Sequence, residues 1–262
     1  LRDAEIVMSS AKHNGRSSYE IFDAATHKEL VGQLKLEHDL RQAVIGLESK
    51  KCDLVLEGDR LLSPFQLYYQ PIVATDTGKI KGFEALLRWQ HPTLGLISPN
   101  DFIPIAEETG LIIPLGEWVF REACRQLAIW QKQFIEYKDL SVSINLSARQ
   151  FGCQDLVETI DKIIQETNVD SRNINLEITE GTIMENPELA TETLWEFKKR
   201  NIKLSIDDFG TGYSCLSCLH KFPLDVLKID RSFITQLSLE GKRSEIVRTV
   251  VALAHNLGMK VT

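Results

Sequence analysis

Glu84, Asn145, Glu177, the pair Asp207-Asp208, Lys228 and Asp230 all fall inside short apolar runs, at spacings that let them act together. The reason is parity: in a strand, residues i and i+2 share a face. Between Gly82 and Trp89, Phe83, Ala85 and Leu87 make one face, and Glu84, Leu86 and Arg88 the other. Val142, Ile144 and Leu146 alternate with Ser143, Asn145 and Ser147, and Leu176 and Ile178 with Asn175, Glu177 and Thr179. Leu204 and Ile206 alternate with Ser205 and Asp207, and Leu227 and Ile229 with Lys228 and Asp230. If these polar faces share an interior, Glu84, Glu177 and Asp207 repel one another, and a carboxylate buried alone costs several kcal/mol or takes up a proton. One lysine and one arginine are too few to neutralise them. The oxygen-rich set Glu84, Asn145, Glu177, Asp207 and Asp208 suits hard divalent cations, Mg2+ or Mn2+, rather than zinc.

Taken singly, each residue has a plainer reading. Glu84 fits a solvated strand face, and Asn145 a satisfied core or turn amide. Asp207-Asp208 ahead of Phe209-Gly210-Thr211-Gly212 fits a strand-ending turn. Glu177 and Glu180 fit surface charge, and Lys228 with Asp230 a structural ion pair. Their joint placement near the ends of successive strands favours one shared pocket.

The elements that must position them follow from the same patterning. Strands are expected at 66–73, 80–88, 140–146, 174–179, 203–207, 225–230 and 259–262. Helices are expected at 99–110, 114–136, 153–167, 188–200 and 243–257. Such alternation predicts an α/β fold with a parallel sheet and helical crossovers. A TIM-like (β/α)8 barrel would carry its chemistry at the C-terminal ends of the strands. An open doubly wound sheet is the competing architecture, but it usually has a Gly-rich turn after its first strand. Here Ala74-Thr75-Asp76-Thr77-Gly78 reads as a hairpin-like turn. Ahead of the barrel, a helix and short strand within 1–22 look like the tail of another domain. Residues 27–50 read as a connecting helix and 51–64 as a loop or insertion. Because the chain opens at Leu1 without a methionine, it is expected to be a piece of a longer protein.

The net charge of −7 argues against duplex nucleic acid as a partner, and an anionic small substrate would need local cations. No apolar run approaches the ~20 residues of a membrane span, and no signal peptide is expected. The region is expected in the cytoplasm, with any membrane tether upstream. Cys215 and Cys218 form a CxxC without a second pair, and read as thiols in a reducing compartment rather than a zinc site. Gly210-Thr211-Gly212 lacks the Lys-Ser/Thr of a phosphate loop and reads as a mobile loop beside the cations. His91, His220 and His255 read as loop or helix residues without a partner.

Together these residues resemble the EAL phosphodiesterase family. The signature stands as Glu84-Ala85-Leu86 within FEALLRW. Further motifs are YYQPI (68–72), FIPIAEETGLI (102–112), INLS (144–147), LEITE (176–180), DDFGTGYSCLSCL (207–219) and LKIDRSF (227–233). The resemblance implies cyclic-di-GMP as substrate and two Mg2+ or Mn2+ ions per site. One ion would be held by Glu84, Asn145, Glu177 and Asp207, the second by Asp207 and Asp208. Arg88 would contact a substrate phosphate, and Gln70, Leu86 and Asp230 would line the nucleotide groove. Lys228 would hold the attacking water, with Asp208 beside it in the catalytic set. Glu180 would anchor the loop after Asp208, near a homodimer contact. Two cations about 4 Å apart suit in-line displacement at phosphorus, giving linear pGpG. The alternative is a receptor that binds cyclic-di-GMP without cutting it.

The stretch LRDAEIVMSSAKHNGRSSYEIFD resembles the end of a GGDEF domain. The expected division is therefore a GGDEF-like remnant at 1–27, a linker helix and insertion at 28–64, and the barrel at 65–262. Family members continue past Thr262 into an AEGVE-like motif and a last strand, so the barrel is expected to be C-terminally incomplete here. A chain ending at Thr262 would carry a weakened second metal site and an uncovered edge.

Overall fold

The computed structural model describes residues 24–48, 55–57, 60–210, 219–235 and 241–262. The helix and strand expected within 1–22, the residues Thr211 to Cys218 and the Cys215/Cys218 pair lie outside them.

Helix α1 (Ala24–Glu48) leads into a small antiparallel hairpin, β1 (Val55–Glu57) and β2 (Arg60–Leu62). The stretch 51–64, read as a loop or insertion, thus carries a two-stranded hairpin. Strand β3 (Phe65–Val73) turns back through Ala74–Gly78 into β4 (Ile80–His91), and β5 (Gly95–Ile97) folds onto the end of β4. Helices α2 (Pro99–Thr109) and α3 (Ile112–Gln133) precede β6 (Ser141–Leu146). A short α4 (Ala148–Phe151) and α5 (Leu156–Thr167) lead to β7 (Ile174–Thr179). Helices α6 (Glu180–Glu185) and α7 (Pro187–Lys199) lead to β8 (Lys203–Phe209). Then come β9 (Val226–Ile229), α8 (Arg231–Thr235), α9 (Gly241–Asn256) and β10 (Lys260–Val261).

The strand order is β10-β9-β8-β7-β6-β4-β3, with β5 paired to β4. From β4 to β10 every neighbouring pair on that path is parallel, and, β5 aside, each strand sits beside the one before it in the chain. That single direction of winding gives a TIM-barrel-like α/β fold. A doubly wound sheet would reverse its strand order partway. Two pairings depart from an all-parallel sheet: β5 pairs antiparallel with the end of β4, and β3 pairs antiparallel with β4 in register from Phe65↔Trp89 to Ile72↔Gly82, with a shift before Val73↔Ile80. The tight turn at 74–78 requires the antiparallel β3–β4 pair, because a parallel return needs a long crossover.

The faces divide as parity predicts. Ile174, Leu176, Ile178, Leu204, Ile206 and Leu227 are fully buried against the helices. There they meet the apolar stripes of α3 (Val119, Ala123, Leu127), α5 (Ile160, Ile163) and α7 (Leu194, Phe197). Helix ends are set locally. Ser98 caps α2 by accepting from the Asn100 N–H, Pro99 takes the first turn, and Gly110 closes it at φ 79°. The Arg149 guanidinium also donates to the Glu107 and Glu108 carbonyls, tying α2 to α4 after β6. A second core cluster lies under α1, where Leu40 and Val44 pack with Phe65, Trp89 and Phe102.

Candidate metal centre

Glu84 projects from mid-strand on β4, while Glu177 on β7, Asp207 on β8 and Lys228 on β9 each lie toward the C-terminal end of their strand. Parallel pairing brings these ends to one level, with Asn145 opposite Glu177 and Thr179 opposite Asp207. One carboxylate oxygen from each of Glu84, Glu177 and Asp207 lies within 4.8 Å of the others. The Lys228 ammonium stands among them, donating to Glu84 Oε2 at 3.2 Å, to Asp207 Oδ2 at 2.9 Å and to Glu177 Oε2. Asn145 Nδ2 donates to Glu84 Oε1 at 2.9 Å.

The electrostatics are unbalanced. Three carboxylates face one ammonium. Burial pushes the Glu177 carboxyl above the usual range; Lys228 opposes this, and the charges of Glu84 and Asp207 add to it. Burial alone would lower the Lys228 pKa, but Glu177, Asp207 and Glu84 outweigh it and hold the ammonium charged. A cluster short of positive charge, all of whose acceptors are oxygens, fits a hard divalent cation.

The remaining residues expected at the site are placed as follows. Asp208 stands outside the three-carboxylate group, at φ 52°, with its N–H donating to Asp207 Oδ1 at 2.9 Å. Its pKa is raised by partial burial and then by Asp207 and Asp230. Gln70 is exposed on β3, opposite Glu84. Leu86 and Arg88 are half-buried on β4. Arg88 lies over the Tyr68 ring, 5.3 Å from its centroid, and donates to the Leu87 carbonyl at 2.8 Å; it does not join the carboxylates. Asp230 accepts from the Ser232 N–H at 3.0 Å and from the Ser232 hydroxyl, which holds its pKa down. Glu180 is buried, not surface charge, and its Oε2 accepts from the Gly210 N–H at 3.3 Å.

Two residues had roles the sequence reading missed. His91 is buried and partnered: its Nε2 meets Asp39 Oδ2 at 3.2 Å, and its Nδ1 accepts from the Thr93 and Leu94 N–H groups. Tyr68 forms the platform under Arg88; its place opposite Leu86 across the β3–β4 hairpin, with Gln66 opposite Arg88, was the signal that could have found it.

Residues 60–262 match the family model of the EAL domain. The bifunctional diguanylate cyclase/cyclic di-GMP phosphodiesterase MucR of Pseudomonas aeruginosa is 39% identical over 259 residues, covering 99% of this chain and 35% of MucR. The cyclic di-GMP phosphodiesterase PdeR of Escherichia coli is 37% identical over 261 residues, covering 100% of this chain and 36% of PdeR. The chain thus spans about a third of the length of these relatives. Among solved structures, the MucR phosphodiesterase in its c-di-GMP complex superposes with a TM-score of 0.76 at 40% identity, covering 87% of this chain and 85% of that one. The EAL domain of Mycobacterium smegmatis DcpA superposes with a TM-score of 0.63 at 34% identity, covering 75% of this chain and 79% of that one.

Proposed function

This chain belongs to the EAL domain family, and on that premise we propose that it hydrolyses cyclic-di-GMP to linear pGpG with divalent cations. The observation that carries the proposal is the convergence of Glu84, Glu177 and Asp207 from three strands around Lys228. Glu84, Asn145, Glu177 and Asp207 would hold one Mg2+ or Mn2+, and Asp207 with Asp208 a second. The cations, when bound, would neutralise phosphate charge and make water a better nucleophile near neutral pH.

The chain's own groups do the rest. Lys228, kept protonated by its carboxylate neighbours, orients the attacking water and stabilises negative charge building on phosphorus-bound oxygen. Arg88, steadied by Tyr68 and the Leu87 carbonyl, presents its remaining N–H groups to a substrate phosphate. Gln70, Leu86 and Asp230 line the groove beside it. Glu180 holds the backbone at Gly210, where the loop after Asp208 begins.

Residues ahead of the EAL match also align with MucR, since 99% of this chain does. This supports a GGDEF-like domain upstream in the same polypeptide. A homodimer is part of the same reading. Among the described residues, no helix is long and apolar enough to cross a membrane.

Incubation of the purified chain with cyclic-di-GMP and Mn2+ should yield pGpG, and EDTA or Glu84→Ala should abolish it. Turnover that survives Glu84→Ala would refute the site. Binding without turnover in the full-length protein would favour the receptor reading.

A further inference from the structure

Below the carboxylates lies a layer of buried polar side chains that the reaction above does not use. Ser143, Asn175 and Ser205 stand two residues before Asn145, Glu177 and Asp207, on the same strand faces, and are 2%, 8% and 0% exposed. Barrel interiors usually fill such positions with Val, Ile or Leu. Here the three are hydrogen-bonded to one another. The Ser205 hydroxyl donates to Asn175 Oδ1 at 2.9 Å, and Asn175 Nδ2 donates to Ser143 Oγ at 2.8 Å. Asn175 Nδ2 also reaches Glu177 Oε1 at 3.5 Å, the long end of the hydrogen-bond range.

The partners decide which edge of the amide is which. An ionised carboxylate only accepts, so the NH2 edge faces Glu177 and the oxygen receives the Ser205 hydroxyl. Glu177 is then held from two sides: Oε2 by Lys228, and Oε1 by Asn175. A buried carboxylate with a donor at each oxygen is biased toward one orientation in which to meet a cation.

We propose that Asn175, itself fixed by Ser205 and Ser143, is a positioning residue that aims the Glu177 carboxylate at the divalent cation. The inference rests on the metal-dependent phosphodiesterase reading above. A purely structural role makes a different prediction. Leucine at 175 would fill similar space and remove polar atoms from the interior, leaving cation binding untouched.

The test is Mn2+ titration without substrate, following free Mn2+ by electron paramagnetic resonance, on the parent chain, Asn175→Leu and Ser205→Ala. Asn175→Leu should bind Mn2+ about ten-fold more weakly, as expected when the group orienting a metal ligand is lost, and excess Mn2+ should restore its turnover of cyclic-di-GMP. Ser205→Ala, the milder change, should weaken binding in the same direction and decides the matter if Asn175→Leu does not fold. Parent-like Mn2+ affinity in the folded variants, or lost turnover that excess Mn2+ does not restore, would overturn the proposal, as would a parent that binds no Mn2+. A parent that binds Mn2+ and shows the expected losses, yet cuts no cyclic-di-GMP, would leave Asn175 in this role and remove the phosphodiesterase reading instead.

Discussion

Lys228 shows how far parity reaches at a single residue. Parity turns it inward on β9, one cation too few to neutralise the acids around it, but names none of its partners. In the folded chain it contacts all three carboxylates, one of them 144 residues away in sequence. Removing it strips the only cation among those contacts. Lys228→Met should lower the stability of the metal-free protein by about 3 kcal/mol, the usual scale for orphaning buried charge, as measured by urea unfolding in EDTA. Mn2+ should then raise the melting temperature of the variant more than that of the parent. Equal responses would contradict the charge balance described for the site.

Cys124 gives a second test at this scale. It is fully buried on α3, and burial pushes its thiol from 9.0 up to about 12. A folded pKa above the unfolded one favours the protonated, folded form. Its contribution to stability is therefore complete below about pH 9 and fades as pH rises toward 12. At pH 8, iodoacetamide should modify Cys124 only after unfolding, as read by mass spectrometry; rapid labelling of the native protein would contradict its burial.

At the scale of elements, most of the sheet was legible because alternation depends only on which side chains face apolar neighbours. The outward Ile174, Leu176 and Ile178, with the inward Asn175 and Glu177, stand where the pattern put them. What stayed hidden depends on partners distant in sequence. The β1–β2 hairpin has strands of only three residues, too short to show an alternating pattern. The hydrogen bonds linking Ser143, Asn175 and Ser205 depend on the stagger between adjacent strands, which no single run of residues encodes. Gly82 is a similar case. A Cβ there would meet Ser141 Oγ at 2.4 Å and the Ser141 carbonyl oxygen at 2.7 Å, so β4 and β6 pair this closely only because residue 82 is glycine. Gly82→Ala should cost about 2 kcal/mol in urea unfolding, typical of overpacking. It should also weaken Mn2+ binding, because Glu84 rides on the displaced strand. Unchanged stability would mean the strands separate without cost.

Across the whole molecule, two cores meet along β4. One lies between the parallel sheet and its helices, the other under α1. His91 ends the strand that carries Glu84, and it reaches 52 residues back to Asp39 on α1. Its two main-chain donors occupy Nδ1, which leaves Nε2 to carry the proton and donate it to Asp39. Nothing near His91 in sequence signals this partner, so it read as an unattached loop residue. His91→Ala should speed amide exchange along α1, with exchange in β6, β7 and β8 unchanged. Equal protection of α1 in both proteins would mean that Leu40 and Val44 hold the helix by packing alone.

Whether acidic groups from separate strands share one divalent ion can be seen directly. Crystals grown with Mn2+ should give an anomalous scattering peak in contact with carboxylate oxygens of Glu84, Glu177 and Asp207 together. Manganese found elsewhere on the chain, with those three side chains still joined only through Lys228, would contradict the account.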